Sequence, residues 1–302
     1  MNRRKFIQST MATTLLASLD SYATPIFTEG SASDLKIMAT NWGFQGNHES
    51  FCKKAKAAGY DGIEVWWETD PVKRKELFNA LIDNDLAIGF LVGSGNSDAK
   101  KNLDEFLKNM SDAASQTILK SLYINCHSGK DYFTSAEAQR FFTMSKEVSK
   151  ETGTSIYHET HRGRILYSAP IARSYMEKNA DLQITLDISH WCCVHESYLE
   201  DQKETIDLAL SRTGHIHARV GHPESPQVSD PRAPEWDKAV KAHFAWWDKV
   251  VEHRKKEGKQ ITILTEFGPP DYMPTLPYTR QPVANQWEIN AYMMKVLRER
   301  YK

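Results

Sequence analysis

Hydrophobic and polar positions along this chain switch between two rhythms from about residue 35 to the end. Short, nearly continuous apolar runs alternate with longer segments whose apolar residues recur at helical spacing. The runs are Leu35 to Thr40, Gly62 to Trp66, Leu86 to Val92, Leu122 to Cys126, Ser155 to His161, Gln183 to His190, Gly214 to His222 and Ile261 to Phe267. Between and after them, helical patterns cover Glu49 to Ala58, Pro71 to Asp83, Asp98 to Ser115, Ser135 to Glu151, about Ser168 to Lys178, about Glu200 to Ser211, Trp236 to Lys256 and Asn285 to Arg300. Gly59, Gly153 and Gly258 stand where three of these helices should stop, and Pro71 opens another. Eight strand–helix alternations of about 30 residues each predict one (β/α)8 TIM barrel over residues 35–302, with strands buried on both faces. Two Pro-rich interruptions, Arg219 to Glu235 and Phe267 to Gln281, follow the seventh and eighth strands and should wall a pocket.

The later strands end in side chains that bind metals. Ser155-Ile156-Tyr157-His158-Glu159-Thr160-His161 is the organising stretch, and the next three strands deliver Asp187, His215 or His217, and Glu266. A single acidic residue at a strand end is more often a helix cap than a ligand. Four adjacent strands aiming Glu159, Asp187, His217 and Glu266 at one level of a barrel predict a divalent metal held by oxygen and imidazole. His215 and His217 face the same way on a strand, so the sequence leaves the choice between them open. Glu64 ends the second strand and reads as a pocket residue. His127, His190, Arg162 and Arg219 are candidates for contacts to hydroxyl or leaving groups. Trp42, Trp66, Trp67, Trp191 and Tyr272 fall in or near βα loops, where they can stack on a sugar ring. Trp246 and Trp247 lie inside a helix and belong to core or interface.

These residues carry a family resemblance. Gly59-Tyr60-Asp61-Gly62-Ile63-Glu64, His158-Glu159-Thr160-His161, Leu186-Asp187-Ile188-Ser189-His190, Gly214-His215-Ile216-His217 and Thr265-Glu266-Phe267 resemble the xylose-isomerase-like barrel superfamily. The pattern is nearest the sugar phosphate isomerase/epimerase group, which includes ketose 3-epimerases. The resemblance implies one divalent ion (Mn2+, Co2+, Mg2+ or Zn2+) on Glu159, Asp187, His217 and Glu266. It also implies an acid/base role for Glu159 and Glu266 and a substrate contact for His190. Two departures stand out. Ketose epimerases usually carry a second Glu six residues after the first ligand, where this chain has Ile165; His161, Arg162 and Arg164 crowd that loop. They also carry an Arg six residues past the His ligand, where this chain has Pro223, with Arg219 and His222 nearby.

Taken together, the residues predict proton abstraction next to a sugar carbonyl through an enediolate, giving a metal-dependent epimerase or isomerase. Elimination from a keto-sugar or 3-keto-glycoside, by a dehydratase or lyase, is the alternative. Glu64, His127, His161, His190, Arg219 and Trp66 are the expected substrate contacts. A repair-type endonuclease would need more ligands and a basic groove. The net charge of −1 opposes that and any nucleic-acid partner. A sugar-binding protein without catalysis would leave four aligned ligands to coincidence. A small carbohydrate is therefore the expected partner, with a homodimer or homotetramer as the expected assembly.

Residues 1–23 read as an export signal. Arg3-Arg4-Lys5-Phe6 resembles a twin-arginine motif, a mildly apolar run follows from Met11 to Leu19, and Ser21-Tyr22-Ala23 fits a cleavage site, with residues 24–34 as linker. The mature protein is expected in the periplasm, with no span of the membrane. Four cysteines, Cys52, Cys126, Cys192 and Cys193, lack the number and spacing of a disulfide framework and read as small buried hydrophobes.

Overall fold

The computed structural model describes residues 34–302, so the expected export signal lies outside the described residues. Eight parallel strands close into a barrel in sequence order. They are β1 (Leu35–Thr40), β2 (Gly62–Trp66), β3 (Ala87–Gly93), β4 (Tyr123–His127), β5 (Ile156–Glu159), β6 (Ile184–Leu186), β7 (Thr213–Ala218) and β8 (Ile261–Thr265). Helices α1 (His48–Ala58), α2 (Pro71–Asp83), α3 (Ala99–Ser115), α4 (Ser135–Thr152), α5 (Ala169–Lys178), α6 (Ile188–Val194), α7 (Lys203–Ser211), α8 (Asp237–Lys256) and α9 (Gln286–Tyr301) complete it. The α6 turn was not expected. Asp187 ends the strand early by accepting from the backbone N–H of Ser189, so His190 rides on a short helix rather than a strand.

The alternation of inward and outward side chains explains how the site is delivered. On β4, Ile124 and Cys126 join the apolar layer under the helices, leaving Tyr123, Asn125 and His127 for the barrel interior. On β5, Ile156 packs outward while Tyr157 and Glu159 take the other face. On β7, Ile216 and Ala218 pack outward and His215 and His217 face in. His158 falls on the outer side. Its Nδ1 lies 2.7 Å from the Ser128 hydroxyl and its ring meets Phe142, so it is a satisfied core histidine.

Aromatic rings fill the lower interior. Tyr123 stacks on His215 at 4.0 Å between centroids and lies 6.1 Å from Tyr157. Two glycines make room for them: a Cβ on Gly89 would lie 2.4 Å from the Tyr123 ring, and one on Gly214 would lie 2.2 Å from Tyr157. Three cysteines are buried, Cys193 is partly buried, and all four are free, as expected. Among the described residues no helix is long and apolar enough to cross a membrane.

Gly214→Ala should therefore overpack the barrel floor and cost about 1–3 kcal/mol. Urea denaturation would show it as a lower midpoint, and replacing Tyr157 by Leu in the same chain should recover part of the loss. An unchanged midpoint for Gly214→Ala would mean the ring is not held there.

Candidate metal centre and substrate pocket

Glu159 ends β5, Asp187 follows β6, His217 lies near the end of β7 and Glu266 follows β8. One ligand atom from each lies within 4.8 Å of the others, and all four residues are buried. His217 Nδ1 lies 2.9 Å from Glu266 Oε2 and 3.7 Å from Glu159 Oε1. None of these three atoms makes an aligned hydrogen bond. Buried polar atoms left in this way cost free energy unless something else binds them. Three carboxylates and an imidazole suit a hard or borderline divalent cation, so the residues fit the metal that the sequence predicts. Asp187 is the most engaged of the four. It accepts from the Ser189 hydroxyl and from Arg219, and a metal would share it with that guanidinium.

The choice between the two β7 histidines falls on His217. His215 stands one layer lower, where its Nδ1 lies 3.0 Å from the Thr262 carbonyl and its Nε2 lies 3.3 Å from Glu64 Oε2. Glu64 spans both rings, with Oε1 3.3 Å from His217 Nε2. This carboxylate can hold the Nε2 proton of His217 and leave Nδ1 free to bind a metal. Asn125 completes the support, its Nδ2 lying 2.7 Å from Glu159 Oε2 and 3.1 Å from His217 Nε2. Asn125 was missed in the sequence, although it sits two positions before His127 on the same strand face.

The electrostatics follow from this crowding. Burial alone would lower the pKa of His217, but Glu266, Glu159 and Glu64 together hold it well above the ordinary histidine value. Burial would raise Glu159, yet His127 and His217, with the His127 hydrogen bond, keep it well below the carboxylate range. Burial pushes Asp187 up to about 6 against the pull of Arg219.

Above the ligands lies a cavity of about 300 Å3. Glu64, Trp66, His127, His161, Arg219 and Glu266, all expected in the site, line it. Trp42, Tyr272 and Arg164 complete the wall, and Arg219 lies 4.7 Å beneath the Tyr272 ring. His127, His161 and His190 form a row, with centroids 4.8 and 4.0 Å apart. His127 Nε2 lies 3.0 Å from Glu159 Oε2. Burial lowers the pKa of His161 to about 3 and that of His190 well below the ordinary value, so both are neutral. His190 Nε2 accepts from Arg219 at 2.8 Å, which leaves its Nδ1 buried and without a partner. Two tryptophans expected near the pocket belong to the core instead. Trp67 packs edge-on against Phe90, and the fully buried Trp191 donates to the Leu166 carbonyl.

The two Pro-rich loops form the far wall together. Gln227 donates to the Gly268 carbonyl at 3.2 Å and accepts from its N–H at 2.7 Å. His243 of α8 anchors the first loop: its Nδ1 donates to Ala239 O, and its Nε2 accepts from Gly221 N at 3.1 Å. That bonding requires the neutral ring.

No protein-family model matches the chain, and no curated protein matches it in sequence. Solved structures do match. The apo form of the 3-keto-D-glucoside 4-epimerase YcjR from E. coli aligns at a TM-score of 0.57 over 87% of this chain and 99% of that one, at 15% identity. The probable 3-DHS dehydratase AsbF, involved in petrobactin synthesis, from Bacillus anthracis, gives 0.55 over 87% and 98% at 16% identity. A D-tagatose 3-epimerase-like protein gives 0.55 over 87% and 97% at 15% identity. The chain folds as a (β/α)8 TIM barrel, as these sugar epimerases and this probable dehydratase do. At such identities the likeness is one of fold, and the chemistry of this barrel has to be argued from its own residues.

Two measurements check the site. Glu64→Gln should weaken Mn2+ binding by about 10–100-fold in calorimetry; an unchanged affinity would remove Glu64 from the support of His217. The second concerns His243, whose pKa burial lowers to about 4. Its folded value lies below the unfolded value of about 6.5, so its contribution is complete above pH 6.5 and is lost as the pH falls toward 4. His243→Gln should therefore flatten the dependence of urea stability on pH in that window by up to about 1.4 kcal/mol per unit. Parallel curves for the two proteins would contradict this.

Proposed function

We propose that this protein is a divalent-metal-dependent enzyme that moves a proton at the carbon beside a sugar carbonyl, most simply as an epimerase or isomerase. The observation that carries the reading is the convergence of Glu159 Oε1, His217 Nδ1 and Glu266 Oε2, buried and unbonded, beneath an aromatic-walled cavity. Glu159, Asp187, His217 and Glu266 would hold the ion. When bound, such an ion supplies Lewis-acid polarisation that acidifies the neighbouring C–H.

The rest is the work of the chain's own groups. Glu159 and Glu266 enter from β5 and β8, with β6 and β7 between them; Glu266 lines the cavity, and Glu159 lies beneath it beside the lining residue His127. One takes the proton from the substrate carbon and the other returns it from the opposite face, each step being worth about 10²–10⁴-fold. Asn125 and His127 fix Glu159 by contacts to Oε2 and hold it as an ionised base. His127 and the neutral His161, which line the cavity with His190 behind them, offer imidazole nitrogens to sugar hydroxyls. Trp42, Trp66 and Tyr272 cover the ring and exclude water. The expected export signal favours an unphosphorylated substrate met in the periplasm.

A specific observation also favours elimination as a second reading. The buried Nδ1 of His190 has no partner and can carry an N–H; were a substrate hydroxyl to reach it past His161, proton abstraction by one Glu would end in dehydration. Two fold neighbours, an epimerase and a probable dehydratase, span the same pair of outcomes.

The test is hydrogen exchange. The Mn2+-loaded protein in D2O is offered keto-sugars and 3-keto-glycosides, followed by NMR and mass. Deuterium should enter beside the carbonyl, and Glu159→Gln or Glu266→Gln should slow it by about 10²-fold or more. An epimer or an eliminated product then distinguishes the two readings. Tight metal binding with no exchange on any carbonyl compound would sink both.

A further inference from the structure

The loop after β5 holds two arginines, Arg162 and Arg164, and the structure separates them. Gly163, at φ +75°, turns the chain between them. Arg162 lies on the exposed rim, 5.2 Å from the Tyr272 ring. Arg164 turns inward and lines the cavity. One of its terminal nitrogens, Nη1, donates to the carbonyls of Ser94 at 3.2 Å and Gly129 at 3.3 Å, so the loops after β3 and β4 hold the guanidinium in place.

What Arg164 lacks is a counter-charge. Arg219, the other cavity arginine, is paired with Asp187. Among the described residues no carboxylate comes within ion-pair distance of Arg164, and its recorded side-chain bonds all use Nη1. Burial lowers its pKa from the ordinary arginine value, and the more distant Glu159 and Asp131 oppose this without pairing. The charge of Arg164 also weighs on nearby Lys130, which adds to the positive field. A half-buried guanidinium fixed by backbone carbonyls, with its Nε–Nη2 edge unused, is arranged to receive an anion in two parallel hydrogen bonds.

We propose that the substrate of this site is a sugar acid whose carboxylate is received by the Nε–Nη2 edge of Arg164. The proposal rests on reading the site as a sugar-carbonyl enzyme and narrows its substrate class. A carboxylate fits better than a phosphate because one free guanidinium edge matches one negative charge and two oxygens. The cavity, at about 300 Å3, is also at the small end of ligand sites.

The test compares D-glucuronate, D-glucose and D-glucose 6-phosphate by calorimetry on the full protein, metal-free and Mn2+-loaded. D-glucuronate should bind about tenfold or more tightly than D-glucose in both forms. Arg164→Gln should bring the ratio down to about twofold or less, and Arg164→Lys should keep an intermediate preference as a point charge. Thermal melting and Mn2+ affinity establish that each variant is folded. Equal binding of the acid and the neutral sugar overturns the proposal. So does a preference that survives Arg164→Gln, which would put the anion on the metal or on Arg219. Tighter binding of D-glucose 6-phosphate than of D-glucuronate overturns the choice of carboxylate. The parent reading is judged separately, since exchange on neutral keto-sugars needs no anion and these binding ratios need no turnover.

Discussion

Four carboxylates buried in one barrel interior are the constraint on which this structure depends. Glu64, Glu159, Asp187 and Glu266 repel one another in a medium that screens poorly, so each must be met by positive charge or by hydrogen bonds. The protein supplies a graded answer. Arg219 meets Asp187 directly, His217 stands among the other three, and Asn125 and His127 take one oxygen of Glu159. The counter-charge remains incomplete at the point where Glu159, His217 and Glu266 converge. Three buried ligand atoms from three strands meet there without partners, an arrangement that could hold a cation.

Most of the fold was legible because the barrel repeats one rule eight times. Apolar runs of strand length separated by amphipathic helices gave all eight strands within a few residues, and strand ends then pointed to Glu159, Asp187, His217 and Glu266. The misplaced features have a common cause. Asp187 both closes a strand and caps the short helix α6, and one side chain with two roles looks like one role in a sequence. Trp67 and Trp191 looked like loop aromatics because periodicity reports distance along the chain, while packing against Phe90 or reaching the Leu166 carbonyl is decided across it.

The support around the ligands was less legible than the ligands themselves. Asn125 is an uncharged residue in an apolar strand, and only the two-residue alternation from Tyr123 to His127 marks it as facing the site. His215 and His217 are equivalent in the sequence. Height in the barrel separates them, since one layer lower places His215 against Tyr123 and the Thr262 carbonyl. Arg162 and Arg164 likewise look alike until the left-handed turn at Gly163 sends one to the rim and the other to the cavity.

The filled floor of the barrel has a consequence for the order of events. The rings of Tyr123 and Tyr157, seated on Gly89 and Gly214, occupy the interior below the ligands. An ion on these ligands and a sugar in the cavity would then share one doorway, beneath Trp42, Trp66 and Tyr272. Whatever enters first sits deeper, and whatever enters second locks it in. On the proposed reading, an ion would have to be loaded before a sugar arrives and could leave only after the sugar has gone.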